Sequence, residues 1–244
     1  MNGFVDLHCH MLCGVDDGAA DEQEMFAMLD LAYKDGTRHI CLTPHANSYF
    51  AKQEGGSEDE AFAKLEAYAE KYSDLTLYRG NELFFSHGVL PALKDSRYRS
   101  MNGTRYVLVE FAPDISFYDF SFGLHQLAGA GYIPLVAHVE RYSALYKRQK
   151  QLLGLVEDTG AALQVNASSL FGKWGFFAKR FAWKLVRCGA VAAISSDGHG
   201  AEHRPPMLSR AYHAVEKSMG KEAAQELFYG MPLAILKGYT LFDG

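Results

Sequence analysis

Short, nearly unbroken apolar runs alternate along the chain with longer stretches in which apolar residues recur every three or four positions. The runs are "FVDLH" (4–8), "HICLTP" (39–44), "LTLYRG" (75–80), "RYVLVEF" (105–111), "IPLVAH" (133–138), "AALQVN" (161–166) and "VAAISSD" (191–197). Runs this short, with little polar alternation, fit parallel strands buried on both faces. The stretches between them read as helices. Asp21 with Glu24 three residues later forms a capping-box pattern, Met25, Met28, Leu29 and Ala32 supply an apolar stripe, and Gly36 follows as a C-terminal stop. Ser57 and Glu60 repeat the start signal before Phe62, Leu65, Ala69 and Tyr72. Further helices are expected over about 119–130, 146–159, 174–188, 206–219 and 221–229. Within the third of these five intervals, Trp174, Phe176, Phe177 and Phe181 read as a packing face directed at the core, with a partner surface as the second reading. "EGGSEDE" (54–60) reads as an exposed loop, and "FFSHGVLPALKDSRYRSMNG" (84–103) as an excursion before the fourth strand. Seven strand–helix units without a repeat, low-complexity tract or proline-rich linker predict one α/β domain over residues 1–244. The expected architecture is a distorted (β/α)7 barrel, with a doubly wound open sheet as the alternative.

The chemistry sits at the carboxyl ends of the predicted strands. His8 and His10 end the first; residues i and i+2 of a strand share a face, so their imidazoles aim together while Leu7 and Cys9 face away. Asp17 follows in "VDDG". The second strand ends at His45, the third at Glu82, the fourth at Glu110, the fifth at His138 followed by Arg141, the sixth at Asn166, and the seventh at Asp197 and His199. In a barrel these ends surround one mouth. A single histidine there is usually a hydrogen-bonded residue, but histidine or acid finishing six of seven strands points to metal. His8, His10, Asp17, His45, Glu82, Glu110, His138, Asp197 and His199 exceed what one ion uses, so two or three divalent ions are expected. Mixed imidazole and carboxylate donors suit manganese, iron or zinc over calcium or magnesium alone. His39, His125, His203 and His213 read as structural, and His87 as a residue able to reach the mouth.

Composition narrows the partners. A net charge of -5 gives no global attraction to nucleic acid or acidic membranes. The amino terminus places Asp6, His8 and His10 where a signal peptide needs apolar residues, and no apolar run reaches the roughly 20 residues of a membrane helix. A cytoplasmic protein without membrane insertion is expected. Cys9, Cys13, Cys41 and Cys188 lack paired spacing and read as free thiols. None heads a thiolate phosphate loop, which needs Arg six positions on; those positions hold Val15, Ala19, Asn47 and Ile194.

With these motifs the chain resembles the PHP (polymerase and histidinol phosphatase) superfamily, and more closely the bacterial protein-tyrosine phosphatases of capsule and exopolysaccharide gene clusters. The matching segments are "DLHCHMLCGVDDGA", "TPHANSYF", "YRGNELFF", "DSRYRSMNGTRYVLVEF", "IPLVAHVERY", "LQVNASSLFGKWG" and "ISSDGHGAEHRPP", in order over nearly the whole chain. The resemblance implies a (β/α)7-type barrel with three divalent metals, manganese first, on the nine residues above. It also implies phosphate binding by Arg141 and Arg204, which join Asp197 and His199 as the expected catalytic residues. The implied substrate is phosphotyrosine on a protein, a tyrosine kinase of polysaccharide export being the expected partner.

The chemistry is coherent without the family. Clustered cations lower the pKa of bound water and supply a hydroxide nucleophile, while guanidinium groups grip phosphate in a two-pronged way that Lys cannot copy. A phenol, with its pKa near 10, is a better leaving group than an alkyl alcohol. The alternatives are a small-molecule phosphoesterase such as a histidinol-phosphate phosphatase, and a non-enzymatic metal-bound scaffold regulating the kinase.

Overall fold

The computed structural model describes residues 3–46 and 57–241. The described strands are β1 (Phe4–Cys9), β2 (Thr37–Leu42), β3 (His45–Ala46), β4 (Thr76–Arg79), β5 (Glu82–Phe84), β6 (Tyr106–Glu110), β7 (Ile133–Val136), β8 (Ala162–Asn166) and β9 (Ala193–Ser195). All pairings are parallel, in the orders β1-β2-β4 and β3-β5-β6-β7-β8-β9. β2 and β3 are one crossing interrupted at Thr43–Pro44, and β4 and β5 are one crossing interrupted at Gly80–Asn81. Backbone bonds carry the ladder across both breaks, from Gly80 N–H to the Leu42 carbonyl (3.0 Å) and from Glu82 N–H to the Pro44 carbonyl (3.1 Å). A Cβ at Gly80 would lie 3.1 Å from both Cys41 Sγ and Met101 Sδ, so a side chain at this break would press on both sulfurs. Asp197 N–H bonds the His8 carbonyl (2.9 Å) and His10 N–H the Gly198 carbonyl (2.8 Å), joining the last crossing to the first. Seven crossings therefore form the distorted (β/α)7 barrel expected from the sequence.

Three apolar layers fix which side chains reach the mouth. Val5, Leu7, Cys41, Leu108, Leu135, Ala162 and Ala193 come from six crossings and pack together inside the ring. Met101, Ile235 and Leu236 belong to the same cluster. Val107, Val109, Val136, Leu163 and Val165 point outward against Leu124, Leu127, Leu152, Leu185 and Val215. On the first crossings Ile40 and Leu42 meet Met25, Met28, Leu29, Phe62 and Leu65.

The helices that cover this sheet are α1 (Glu22–Asp35), α2 (Glu58–Ala69), α3 (Val89–Lys94), α4 (Phe117–Gly129), α5 (Gln149–Thr159), α6 (Phe176–Arg187), α7 (Ser209–Met219), α8 (Lys221–Gln225) and α9 (Met231–Leu236). Asp21 caps α1 by accepting from Glu24 N–H at 2.8 Å, but Glu24 reaches back to Ala20 N–H rather than to Asp21. Gly36 ends it at φ 107°. Ser57 precedes α2 without a side-chain capping bond; residues 54–56 of the expected loop lie outside the described residues. The 84–103 excursion contains α3, and the last helical segment continues through a π-turn (Glu226–Gly230) into α9. Neither was expected, because both are under two turns long and too short to show a helical period.

Candidate metal centre

Strand parity brings the polar residues to one end of the barrel. On β6, Glu110 follows Leu108 on the inner face; on β8, Gln164 and Asn166 follow Ala162. β1 departs from strict alternation. Asp6 pairs with Ile40 and Cys9 with Leu42, so two residues of β1 face one of β2, a bulge. Leu7 therefore joins the interior cluster while Cys9 packs outward beside Met25 and Met28. The expectation that Leu7 and Cys9 share a face is corrected by this bulge; that His8 and His10 aim together holds.

Their Nε2 atoms lie 3.0 Å apart, and Glu82 Oε2 is 3.2 Å from each. Donor spacing of this size is what bonds of about 2.0–2.2 Å to one cation impose on neighbouring ligands. Each ring is oriented for that task from behind. His8 Nδ1 is 3.3 Å from Gln164 Oε1, His10 Nδ1 is 2.7 Å from Asp16 Oδ2, and His199 Nδ1 is 3.0 Å from the Asp197 carbonyl. These partners only accept, so the proton sits on Nδ1 and the Nε2 lone pair points into the cluster. The residues present thus fit a divalent ion.

The other candidates join the same cluster. His45 Nδ1 is 3.1 Å from Glu82 and 3.4 Å from Glu110, and His45 Nε2 is 3.4 Å from Asp17. His138 Nε2 is 2.9 Å from Glu82 and 3.8 Å from Glu110. Asp197 Oδ1 lies 3.4–3.7 Å from His199, His8 and His10, and Asp17 lies 3.6 Å from His199. Three overlapping groups emerge: His8, His10 and Glu82; His10, Asp17, His45 and His199; and His45, Glu82 and Glu110. His138 and Asp197 hold non-glycine residues in the left-handed region, at φ 34° and 52°. Such backbone strain, about 1–3 kcal/mol each, falls on two residues that must turn a side chain into the mouth.

Burial opposes charge on Glu82, Glu110, Asp197 and the five histidines, and the partners decide the outcome. For Glu82 burial pushes the pKa up, but His8, His10 and His138 hold it well below the usual range. Asp197 is likewise held low against burial by His8, His138 and Arg204. Glu110 has burial and the Glu82 charge acting together, and rises to about 8. Burial lowers His8 and His10, yet neighbouring carboxylates raise both above the ordinary imidazole value; for His45, His138 and His199 burial prevails. An arriving cation therefore competes with protons for these donors.

Behind the cluster lies support that the sequence did not reveal. Asp16, not only Asp17, matters: besides His10 it accepts from His45 N–H (2.9 Å) and Gly18 N–H (2.9 Å). A Cβ at Gly18 would stand 1.9 Å from the His10 carbonyl, so only glycine lets this loop fold over the ligand strand. Gln164 accepts from His138 N–H (2.7 Å) and donates to Asn166 (2.9 Å), which donates to Asp197 Oδ2 (2.6 Å). Glu140, fully buried and pushed up to about 7 by that burial, accepts from Asn166 N–H and Ser169 Oγ.

Both arginines reach the mouth. Arg204 Nη2 lies 2.5 Å from Asp197 Oδ2 and Arg141 Nη1 3.8 Å from the same oxygen. Trp174 sits beneath both, its ring 4.1 Å from the Arg141 guanidinium carbon and 5.7 Å from that of Arg204. The expected aromatic core face is therefore corrected: Phe181 is buried, but Trp174 is half-exposed and Phe176 and Phe177 are largely in solvent. Of the histidines set aside, His39 meets Tyr78, His125 meets Asp158 and His213 meets Glu216. His87 and His203 are exposed and join none of the three donor groups.

Cys9 is buried, its thiol pushed up by burial and by Asp6, with Sγ 3.8 Å from the Gly198 carbonyl. Cys9→Ser combined with Cys13→Ser should keep aryl-phosphate turnover within about tenfold, a local repacking cost of about 1.4 kcal/mol. A fall of several orders of magnitude in the folded, metal-loaded variant would restore a thiol mechanism.

The sequence model of the family described as "Capsular polysaccharide synthesis, CpsB/CapC" matches residues 4–237. The tyrosine-protein phosphatase CpsB of Streptococcus pneumoniae is 31% identical over 240 residues, 96% of this chain and 98% of that protein. The tyrosine-protein phosphatase YwqE of Bacillus subtilis is 32% identical over 98% of this chain and 94% of its own length. A solved chain from the crystal structures of YwqE and of CpsB from Streptococcus pneumoniae, described as metal-dependent tyrosine phosphatases, superposes with a TM-score of 0.86 at 31% identity, covering 98% of this chain and 96% of that one. A lactonase of Listeria monocytogenes shares the fold at a TM-score of 0.61 and 12% identity, over 99% of this chain and 95% of its own.

Proposed function

The chain belongs to the CpsB/CapC family of capsular polysaccharide synthesis, and we propose that His8, His10, Asp17, His45, Glu82, Glu110, His138, Asp197 and His199 hold the divalent ions of its tyrosine-phosphatase chemistry. The chain is a metal-dependent tyrosine phosphatase, as its relatives are along nearly their whole length. The observation that carries the ligand assignment is the convergence of three donor groups that share His10, His45 and Glu82. Three groups support three ions, with manganese the first choice for mixed imidazole and carboxylate donors and iron or zinc the next.

When bound, such ions lower the pKa of water and neutralise phosphoryl charge. The chain's own residues do the rest. Arg141 and Arg204 grip the non-bridging phosphate oxygens, drawn toward the incoming dianion from their resting contact with Asp197. Asp16, Gln164 and the Asp197 carbonyl keep the Nδ1 protons of His10, His8 and His199 in place, so that Nε2 stays a donor. Asp197 and His199 link the ion cluster to the arginines, since Asp197 touches both.

The substrate is a phosphotyrosine-bearing protein of the capsule system, with a polysaccharide-export tyrosine kinase as the proposed partner. Among the described residues no helix is long and apolar enough to cross a membrane, which accords with the proposed cytoplasmic site of action. A phosphotyrosine peptide should exceed a matched phosphoserine peptide, and histidinol phosphate, by at least about tenfold in kcat/KM, because the phenolate leaves without a strong general acid. Equal or greater efficiency on histidinol phosphate would reverse the assignment in favour of a small-molecule phosphoesterase. No turnover of any of the three by the metal-loaded protein would leave the scaffold reading.

A further inference from the structure

Beside the mouth, a cavity of about 230 Å³ opens between the 3-10 turn that follows β8 and the start of α7. Its wall includes Ser168, Phe171, Lys173, Arg204, Met207 and Arg210, and no carboxylate lines it. Arg204 links it to the phosphate site, because its guanidinium rests on Asp197. Arg210 lies 4.0 Å over the Phe171 ring and makes no ion pair among the described residues. Lys173 Nζ donates to the His203 carbonyl at 2.8 Å, a neutral partner. The Lys173 ammonium is disfavoured by burial and then by the Arg204 charge, with the Asp197 carboxylate acting the other way.

From this pocket we infer a subsite for an anionic side chain that flanks the scissile phosphotyrosine in the substrate chain. The inference rests on the phosphotyrosine reading above. Lys173 and Arg210 around an apolar floor, next to Arg204 at the edge of the phosphate site, suit one carboxylate or phosphate carried on a short apolar stem, and the volume admits one side chain rather than a folded segment. Charge complementarity would strengthen encounter and hold the peptide in register, so the gain should appear chiefly in KM.

The test uses the metal-loaded full chain and three peptides of one sequence around a single scissile phosphotyrosine. One has neutral flanks, one has glutamates within three residues on either side, and one carries a second, non-hydrolysable phosphotyrosine mimic there. The glutamate or the mimic peptide should exceed the neutral one by at least about tenfold in kcat/KM, and the better of the two identifies the preferred anion. Arg210→Met should reduce that ratio to within about threefold of unity, and Lys173→Met should reduce it independently. Arg210 is exposed on α7, so its replacement leaves the barrel core untouched. A ratio near one for both anionic peptides with the unmodified chain would overturn the subsite, as would a ratio that survives both substitutions. Absence of turnover even on p-nitrophenyl phosphate would instead overturn the phosphatase reading beneath it.

Discussion

Replacing Glu82 by Gln should lower kcat/KM on a phosphotyrosine peptide by at least about a thousandfold, on the order of 4 kcal/mol, and reduce metal content. Glu82 is the hub of the cluster: its carboxylate lies 3.2 Å from His8 and His10, 3.1 Å from His45 and 2.9 Å from His138. It belongs to two of the three donor groups. Gln preserves volume and one acceptor oxygen, so the loss is that of charge. Part of that charge would return from Glu110, whose proton is held in place by burial and by the Glu82 carboxylate. Once Glu82 is neutral, Glu110 ionises more readily, but it lies beside His45 and His138 and cannot bridge His8 with His10. Residual loading at high manganese and little turnover are therefore expected. Wild-type protein stripped by a chelator sets the floor for comparison, and elemental analysis reads the metal. Full metal content with activity within tenfold of wild type would remove Glu82 from the centre.

How far the sequence carries depends on whether a residue's role is set by periodicity. All seven crossings were legible, because apolar runs buried on both faces leave a pattern. The breaks at Pro44 and Gly80–Asn81 fall within or beside those runs and do not disturb it. The nine candidate donors were legible because each ends a strand, apart from Asp17. The bulge in β1 was not, since one added residue alters geometry without altering composition. Asp16 is not legible because it shares an irregular loop with Asp17, and no period separates a residue that orients His10 from one that joins the donor group. Gln164 lies within an otherwise apolar strand, "AALQVN", and one buried amide in such a run is the signal that could have exposed it. Trp174 was assigned to the core from helical spacing, yet it precedes α6, after a turn at Gly172 with φ 92°. The helix begins only at Phe176, so the spacing that joined Trp174 to Phe181 did not apply.

Arg204→Ala should keep the fold and most of the metal while lowering kcat/KM by about thirty- to a thousandfold, the equivalent of about 2–4 kcal/mol for a lost charge-assisted contact in the transition state. A guanidinium cannot ligate a cation, which separates this variant from any change in the donor set. Its contact with Asp197 at 2.5 Å complicates the separation, because Arg204 helps hold that carboxylate ionised. Asn166 bonds the same oxygen at 2.6 Å and His8 and His138 also favour its charged form, so Asp197 should remain available to an ion without Arg204. Arg141→Ala should behave similarly, with a smaller effect on Asp197 because its guanidinium stands 3.8 Å away. The two losses need not add, since both groups would grip one phosphoryl unit and share the Trp174 ring beneath them. Kinetics on a phosphotyrosine peptide beside metal analysis of each variant decides the matter. Unchanged turnover in both single variants would refute the phosphate clamp. Metal loss in step with activity would instead make Arg204 a support for Asp197, a result that restoring activity with added manganese would establish independently.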